Sequence, residues 1–98
     1  MNDIFAITKS NSVYHIRNHI AGGFKVKKIC PVENELDKQE FDLQIVIKEN
    51  QMVHIIKIDD LIKNMQGSNL KYMVEREKFK TTSPIVSAFS VGHVKQIF

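Results

Sequence analysis

Histidines are the residues of this chain best suited to acid–base or metal chemistry, because imidazole changes charge near neutral pH and commonly binds metal ions. His15 and His19 have the i, i+4 spacing that places two side chains on one face of a helix, as in H-E-x-x-H zinc sites. Ile16, Arg17 and Asn18 separate them, so the glutamate base of that motif is missing, and no cysteine cluster supplies a third ligand. We therefore expect no metal and no cofactor, and interpret both histidines as exposed surface residues.

The sequence patterns of the common catalytic sites are missing as well. Gly22-Gly23 lacks the context of a phosphate-binding loop and is interpreted as a turn. The sequence contains neither paired carboxylates in an apolar setting nor the motif of a nucleophile elbow. These observations predict a protein that is not an enzyme.

A nucleic-acid-binding surface is the function that the lysines favour. If residues 70–80 form one strand, an aromatic ring and three cations share a face, the combination that stacks bases and follows phosphates. A second basic strand covers residues 24–30. The candidate nucleic-acid-binding residues are Lys25, Lys27, Tyr72, Arg76, Lys78 and Lys80. Because lysine predominates over arginine, we expect sequence-tolerant, salt-sensitive binding, including binding to single strands. The alternative is a charged edge strand that deters aggregation.

Charge is unevenly distributed along the chain, whose net charge is +3. Five acidic residues and one lysine give residues 33–42 a net charge of −4, which leaves +7 on the rest. This asymmetry is typical of a chain with a nucleic-acid or acidic protein partner, and at this modest charge it is equally typical of a solvated lysine surface. The second candidate function is a protein-interaction module, an accessory subunit or inhibitor of a host enzyme, that binds through the acidic loop 33–42 or a sheet edge. Exposed edges would also allow a dimer.

The last eight residues, VGHVKQIF, resemble the final strand of RelE-type ribonuclease toxins, which often end in Gly-His, charged residues and an aromatic. The resemblance implies RNA cleavage, with His93 as acid or base and with Lys95 and Arg76 stabilising the phosphate. It covers only these eight residues. Those toxins place paired helices after the first strand, whereas this chain has hairpins in its middle.

The chain of 98 residues suits a single domain, 1–98, and its single cysteine excludes an internal disulfide. No charged segment followed by an apolar run opens it, and no stretch reaches membrane-spanning length, so we expect a cytoplasmic protein with no membrane association. Abundant lysine, isoleucine and asparagine are typical of an AT-rich coding sequence, as in a phage or mobile element.

The predicted fold class is α+β: an antiparallel sheet of five or six strands with two short helices on one face. We predict strands over residues 3–9, 24–30, 70–80 and 85–91, the last of them buried on both faces, and a tail that packs onto the core. Ser12 would cap the first helix, which Gly22-Gly23 ends, although a strand over residues 13–16 is the alternative.

A hairpin over residues 41–58 is the central prediction. Its register pairs Ile47 with Met52 and Ile45 with His54, and continues to residues 41 and 58. This places His54 on the core face as a hydrogen-bonded core residue. The connection is either a two-residue turn on residues 49–50 or a four-residue loop. The second helix follows, with Asp59 as N-cap, an apolar stripe on residues 61, 62 and 65, and a stop at Gly67.

Overall fold

The structure, a computed structural model, describes residues 3–19, 22–91 and 95–98. Within these residues the chain forms nine strands, one 3-10 turn and one α-helix, so it is richer in sheet than predicted. In chain order the elements are β1 Asp3–Thr8, β2 Val13–Asn18, β3 Phe24–Cys30, the 3-10 turn Leu36–Lys38, β4 Glu40–Lys48, β5 Gln51–His54, α1 Ile58–Met65, β6 Asn69–Glu75, β7 Lys78–Thr81, β8 Ile85–Val91 and β9 Lys95–Gln96.

All described strands join one antiparallel sheet in the order β7-β6-β4-β3-β2-β1-β8-β9, with β5 paired to β4. The long strand β4 receives three partners. β3 pairs with residues 40–43 and β5 with residues 45–48, while β6 runs along the opposite edge. The two ends of β4 therefore belong to different hairpin systems.

The sheet curls until β8 meets the chain just before β6. The Ile85 amide donates to the Ser68 carbonyl at 2.8 Å, and the Gly67 amide donates to the Ile85 carbonyl at 2.9 Å. The enclosed face carries one apolar core, to which α1 adds the buried side chains of Leu61 and Met65. One face of the sheet is therefore buried and the outer face meets solvent.

The first predicted helix is wrong, because residues 13–18 form the strand β2. Tyr14 and Ile16 are buried with strand period, and both edges of β2 are paired, one with β1 and one with β3. The local capping signal of Ser12 is worth about 1 kcal/mol, less than two ladders of hydrogen bonds and the burial of two large side chains.

The hairpin register is confirmed at its turn end, where Ile45 pairs with His54 and Ile47 with Met52. Glu49 and Asn50 have φ values of 53° and 63°, so the connection is a two-residue primed turn despite the glutamate. Beyond His54 the Ile55 amide still donates to the Gln44 carbonyl at 3.0 Å, but the predicted pairs of Leu43 and Phe41 do not form, because β3 occupies that part of the edge.

The face assigned to this hairpin is confirmed at Leu43 and Phe41 and wrong at the turn end. A register irregularity between Leu43 and Ile45 in the pairing with β6 lets Leu43 and Val46 both face the core. After this bulge, Met52 and His54 point outward and are exposed. His54 is therefore a surface residue.

Helix α1 begins before the predicted cap. Asp60 accepts a hydrogen bond from the Lys57 amide at 3.3 Å, so Lys57 is the N-cap residue rather than Asp59. Of the predicted stripe, Ile62 is the member that remains partly exposed. Gly67 follows the helix with a φ of 74°, which confirms the predicted stop.

The C-terminal third differs from the prediction in two places. Residues 70–80 are the hairpin β6–β7, which turns at Arg76 and Glu77, rather than one strand. The strand β8 is buried on one face, since Val86 is 53% exposed. Ile97 and Phe98 pack against the core as predicted, and His93 lies outside the described residues.

Candidate interaction surface

Tyr72, the predicted base-stacking residue, lies in the core with 4% of its surface exposed. Its ring stacks on Phe41 at a centroid distance of 5.5 Å and meets the edge of Tyr14 at 6.4 Å. Burial raises the pKa of the Tyr72 phenol well above its usual value, and the neighbouring Tyr14 adds to the effect. An enclosed ring cannot stack on a base, so the aromatic part of the predicted nucleic-acid surface is missing.

The predicted cations do not form one free patch. Lys78 and Lys80 lie together on β7, whereas Lys25 and Lys27 lie on β3, with β4 and β6 between the two strands. Arg76 occupies the tip of the β6–β7 hairpin. Three of these cations pair with carboxylates: Lys25 with Asp42 at 2.5 Å, Lys78 with Glu75 at 3.3 Å and Lys80 with Asp37 at 3.4 Å.

The acidic loop 33–42 is held against the sheet by Asp37. The buried carboxylate of Asp37 accepts a hydrogen bond from the Glu33 amide at 2.9 Å and lies near the amines of Lys80 and Lys28, at 3.4 and 3.9 Å. The hydrogen bond from the Glu33 amide is the largest cause that lowers the pKa of Asp37. The two lysines lower this pKa further, and burial opposes them. Much of the loop's negative charge is therefore neutralised within the molecule.

The outer face of β1 to β4 is a network of ion pairs. Arg17 donates two hydrogen bonds to Glu40, at 2.5 and 2.7 Å, and these lower the pKa of Glu40. His15 lies 3.0 Å from Asp3 and its ring stacks on Phe5. Across the four strands Arg17 and Lys25 lie side by side between Asp3 and Asp42, so cations and carboxylates balance and the face presents little net charge to a partner.

His15 and His19 do not share one face of a helix, because His15 points outward from β2 and His19 follows the end of that strand. Among residues 3–19, 22–91 and 95–98, no group of three metal-binding side chains converges. The free thiol of Cys30 is exposed. In the same ranges β1 leads into β2 and β3, not into the paired helices of RelE-type toxins.

An apolar area on the outer side of β4, β5, β6 and β7 was not anticipated. We call it the outer apolar face, and its most exposed members are Met52 at 62%, Met73 at 50% and Phe79 at 54%. Half-buried Ile45 connects the two sides, since it pairs with residues 54 and 71. The bulge in β4 exposes this face by turning outward the residues that alternation had assigned to the core.

An open groove of about 200 Å³ runs along this face and is lined by Ile45, Tyr72, Met73 and Phe79 together with Asp42, Gln44 and Lys71. The Lys71 amine lies 4.8 Å from the centre of the Phe79 ring, a cation–π contact that leaves the ring accessible. The sequence did contain one signal for this arrangement, since Val46, Val53 and Ile55 share the opposite face of the same register.

Comparison of the chain with protein-family models, curated proteins and solved structures found no match. In the described part of the chain, no helix is long and apolar enough to cross a membrane.

Proposed function

We propose that this chain is a non-enzymatic protein-interaction module, an accessory subunit or inhibitor that binds another protein through the outer apolar face. One observation carries the proposal: three large apolar side chains on this face are each half or more exposed. Monomeric proteins rarely leave a connected apolar area of more than a few hundred Å² uncovered, and such areas commonly mark binding surfaces.

The chemistry of the face suits a protein partner. Phenylalanine and methionine are enriched in protein interfaces, and methionine adapts its shape to the surface it meets. Polar side chains lie among the apolar ones: His54 and Lys71 flank Ile45, and Asp42 lines the groove with Met73 and Phe79. Apolar contacts combined with polar groups are the usual anatomy of a binding site for protein.

Nucleic-acid binding has weaker support. Phosphate binding gains its free energy when cations replace the condensed counterions of the nucleic acid. Here Lys25 and Lys27 lie on a different strand from Lys78 and Lys80, and Tyr72 is buried, so these residues do not offer one strand of nucleic acid both clustered cations and a stacking ring. Nucleic-acid binding remains a prediction, to be tested by gel retardation of single- and double-stranded oligonucleotides across a salt series.

Site-specific photo-crosslinking tests the proposal. A photoreactive phenylalanine analogue replaces Phe79, and in a second variant replaces Val86, which is as exposed but lies on β8. Each variant is irradiated in a nuclease-treated lysate of the cells that carry the gene. We expect a discrete adduct with one protein from position 79 and none from position 86.

Competition controls the specificity of this adduct. Excess wild-type chain should abolish it, whereas excess of the Met73→Ser, Phe79→Ser double variant should not. An adduct at position 79 that forms only when the nuclease is omitted, or equal adducts from both positions, would contradict the proposal and would favour nucleic acid or nonspecific contact.

A further inference from the structure

The strand β7 is an open edge of the sheet. In the described residues it pairs with β6 alone, through its residues 78–81. Every second residue of an antiparallel edge strand directs its N–H and C=O away from the sheet. These groups can accept one further strand, as in peptide recognition by strand addition.

The two sides of β7 differ in chemistry. Phe79 pairs with Met73 and Thr81 with Lys71, so Phe79 and Thr81 belong to the outer side. Lys78 and Lys80 alternate with them and face the other way. A strand added beside β7 therefore meets an apolar surface with one set of side chains and two ammonium groups with the other.

A second copy of this chain is a poor occupant of the edge. An antiparallel self-pairing centred on Phe79 would set Lys78 opposite Lys80 twice. A self-pairing centred on Lys80 would set the two copies of that lysine directly opposite each other. Like charges in directly opposed positions destabilise a strand pair, so β7 disfavours its own copy and favours a strand of opposite charge.

We propose that β7 binds an extended segment of another protein in which acidic and apolar residues alternate. The apolar side chains of that segment would extend the outer apolar face beside Phe79, and its carboxylates would pair with Lys78 and Lys80. Backbone hydrogen bonds to β7 would supply affinity, and the alternation would supply specificity. This inference rests on the proposed function, because it specifies the partner of the same surface.

The present partners of the two lysines do not prevent this pairing. The ion pair of Lys78 with Glu75 is solvent-exposed, and such pairs contribute little and exchange readily. Glu75 lies on β6, one strand inside the edge. Lys80 keeps 37% of its side chain exposed beside Asp37, and an ammonium group has three donors, so it can bind a second carboxylate.

Peptide binding to the full chain, followed by NMR of its backbone amides, tests the inference. The probe is a labelled octapeptide in which glutamate and valine alternate. Two controls are an octapeptide with lysine in place of glutamate and one with four glutamates followed by four valines. We expect the alternating acidic peptide to bind at least tenfold more tightly than either control and to slow amide exchange on the free edge of β7.

A charge swap provides the matched variant. Glu75→Lys with Lys78→Glu reverses the charge at the edge while it preserves net charge and the local ion pair. Glu35→Lys with Lys38→Glu makes the same exchange in another exposed i, i+3 pair, at the 3-10 turn. The first swap should weaken binding of the acidic peptide at least tenfold and strengthen binding of the lysine peptide, and the second should do neither.

Two results overturn the inference. One is equal binding of the three peptides with shifts on the outer apolar face but unprotected β7 amides, which leaves the proposed function intact. The other is no binding by any peptide at millimolar concentration. If position 79 also forms no protein adduct in the lysate, the proposed function fails too, so the two failures are separable.

Discussion

Asp37 shows how a single buried carboxylate changes the meaning of a charge pattern. In the sequence it belongs to an acidic run that suggests an exposed binding loop. In the structure it joins the backbone of its own loop to Lys28 on β3 and Lys80 on β7. Its role is therefore structural, and the loop packs on the sheet.

Replacing this carboxylate is the first prediction at the residue scale. Asp37→Asn should lower the free energy of unfolding by about 2 kcal/mol, because two lysines lose their counter-charge in a poorly solvated place. Urea unfolding followed by circular dichroism measures the change. Asp42→Asn, which removes an exposed ion pair, serves as control and should cost less than about 1 kcal/mol.

Asp37 also predicts how the stability of the protein falls at low pH. Its pKa is lower in the folded than in the unfolded chain, so its contribution is complete above the unfolded value of about 4 and is lost as the pH falls through the folded value. Below about pH 4, wild type should lose stability more steeply than Asp37→Asn. Parallel curves would show that Asp37 is not linked to folding.

Tyr14 and Tyr72 predict how the stability of the protein falls at high pH. Burial raises the pKa of both Tyr14 and Tyr72, so their contribution is complete below about pH 10 and is lost as the pH rises toward the folded values. The chain has two tyrosines and no tryptophan, so tyrosinate absorbance reports on this pair alone. We expect ionisation above pH 10 that coincides with the loss of sheet signal in circular dichroism.

Tyr72→Phe isolates the remaining phenol. The variant keeps the ring contacts and removes the hydroxyl that interacts with Tyr14. Burial is the largest cause of the raised pKa of Tyr14, and the Tyr72 side chain lowers that pKa. The single phenol should therefore titrate no lower than before, and a return to about 10 would contradict its burial.

At the scale of elements, the hairpin of β4 and β5 shows that the register of a strand pair and the face it buries have different causes. Its register follows from cross-strand pairs and a two-residue turn, both of which are local. Its orientation depends on the bulge at Leu43 to Ile45, which arises in the pairing of β4 with β6. The residues of this hairpin can therefore keep their cross-strand partners while the side chains assigned to the core face the solvent instead.

The turn itself predicts a stabilising change. Glu49 and Asn50 both hold positive φ, a conformation that glutamate disfavours and Asn-Gly prefers. Glu49→Asn with Asn50→Gly should raise the free energy of unfolding by about 1 kcal/mol, measured by urea unfolding. Glu35→Asn, at a φ of −64°, is the control and should bring no gain. If the control raised the free energy of unfolding equally, the stabilisation could not be attributed to the turn.

At the scale of the whole molecule, the hydrogen bonds between Ile85 and residues 67–68 join distant parts of the chain. Breaking them requires the curled sheet to open, whereas an edge strand can fray alone. We expect the Ile85 amide to exchange with an opening free energy close to that of global unfolding by urea. The outward-facing amides of β7 should exchange several kcal/mol more easily. Comparable exchange rates at the two places would contradict this closure.

Both the nucleic-acid prediction and the interaction proposal depend on where charges meet in space. Sequence alternation correctly separates Lys25 and Lys27 from Phe24, because strand period is a local property. It cannot show that Lys25 meets Asp42, a contact across seventeen residues of sequence. The face occupied by Phe79 is likewise decided by β6, its neighbour in the sheet.

The sequence by itself determined the features that arise within one turn, one strand or one hairpin. These are the antiparallel character of the sheet, the register next to the turn at Glu49, the strand β3 and the end of α1 at Gly67. Alternation, turn residues and glycine at positive φ act between near neighbours, so their effect can be read from the order of residues.

Only the tertiary structure decided which residues became β2, that residues 70–80 fold back as a hairpin, and which face of β4 is buried. Each depends on partners distant in sequence, because a strand gains most of its stability from the strands beside it and from the surface it covers. The outer apolar face follows from these decisions: identical apolar alternation can serve a core or a binding surface, and packing selects between them.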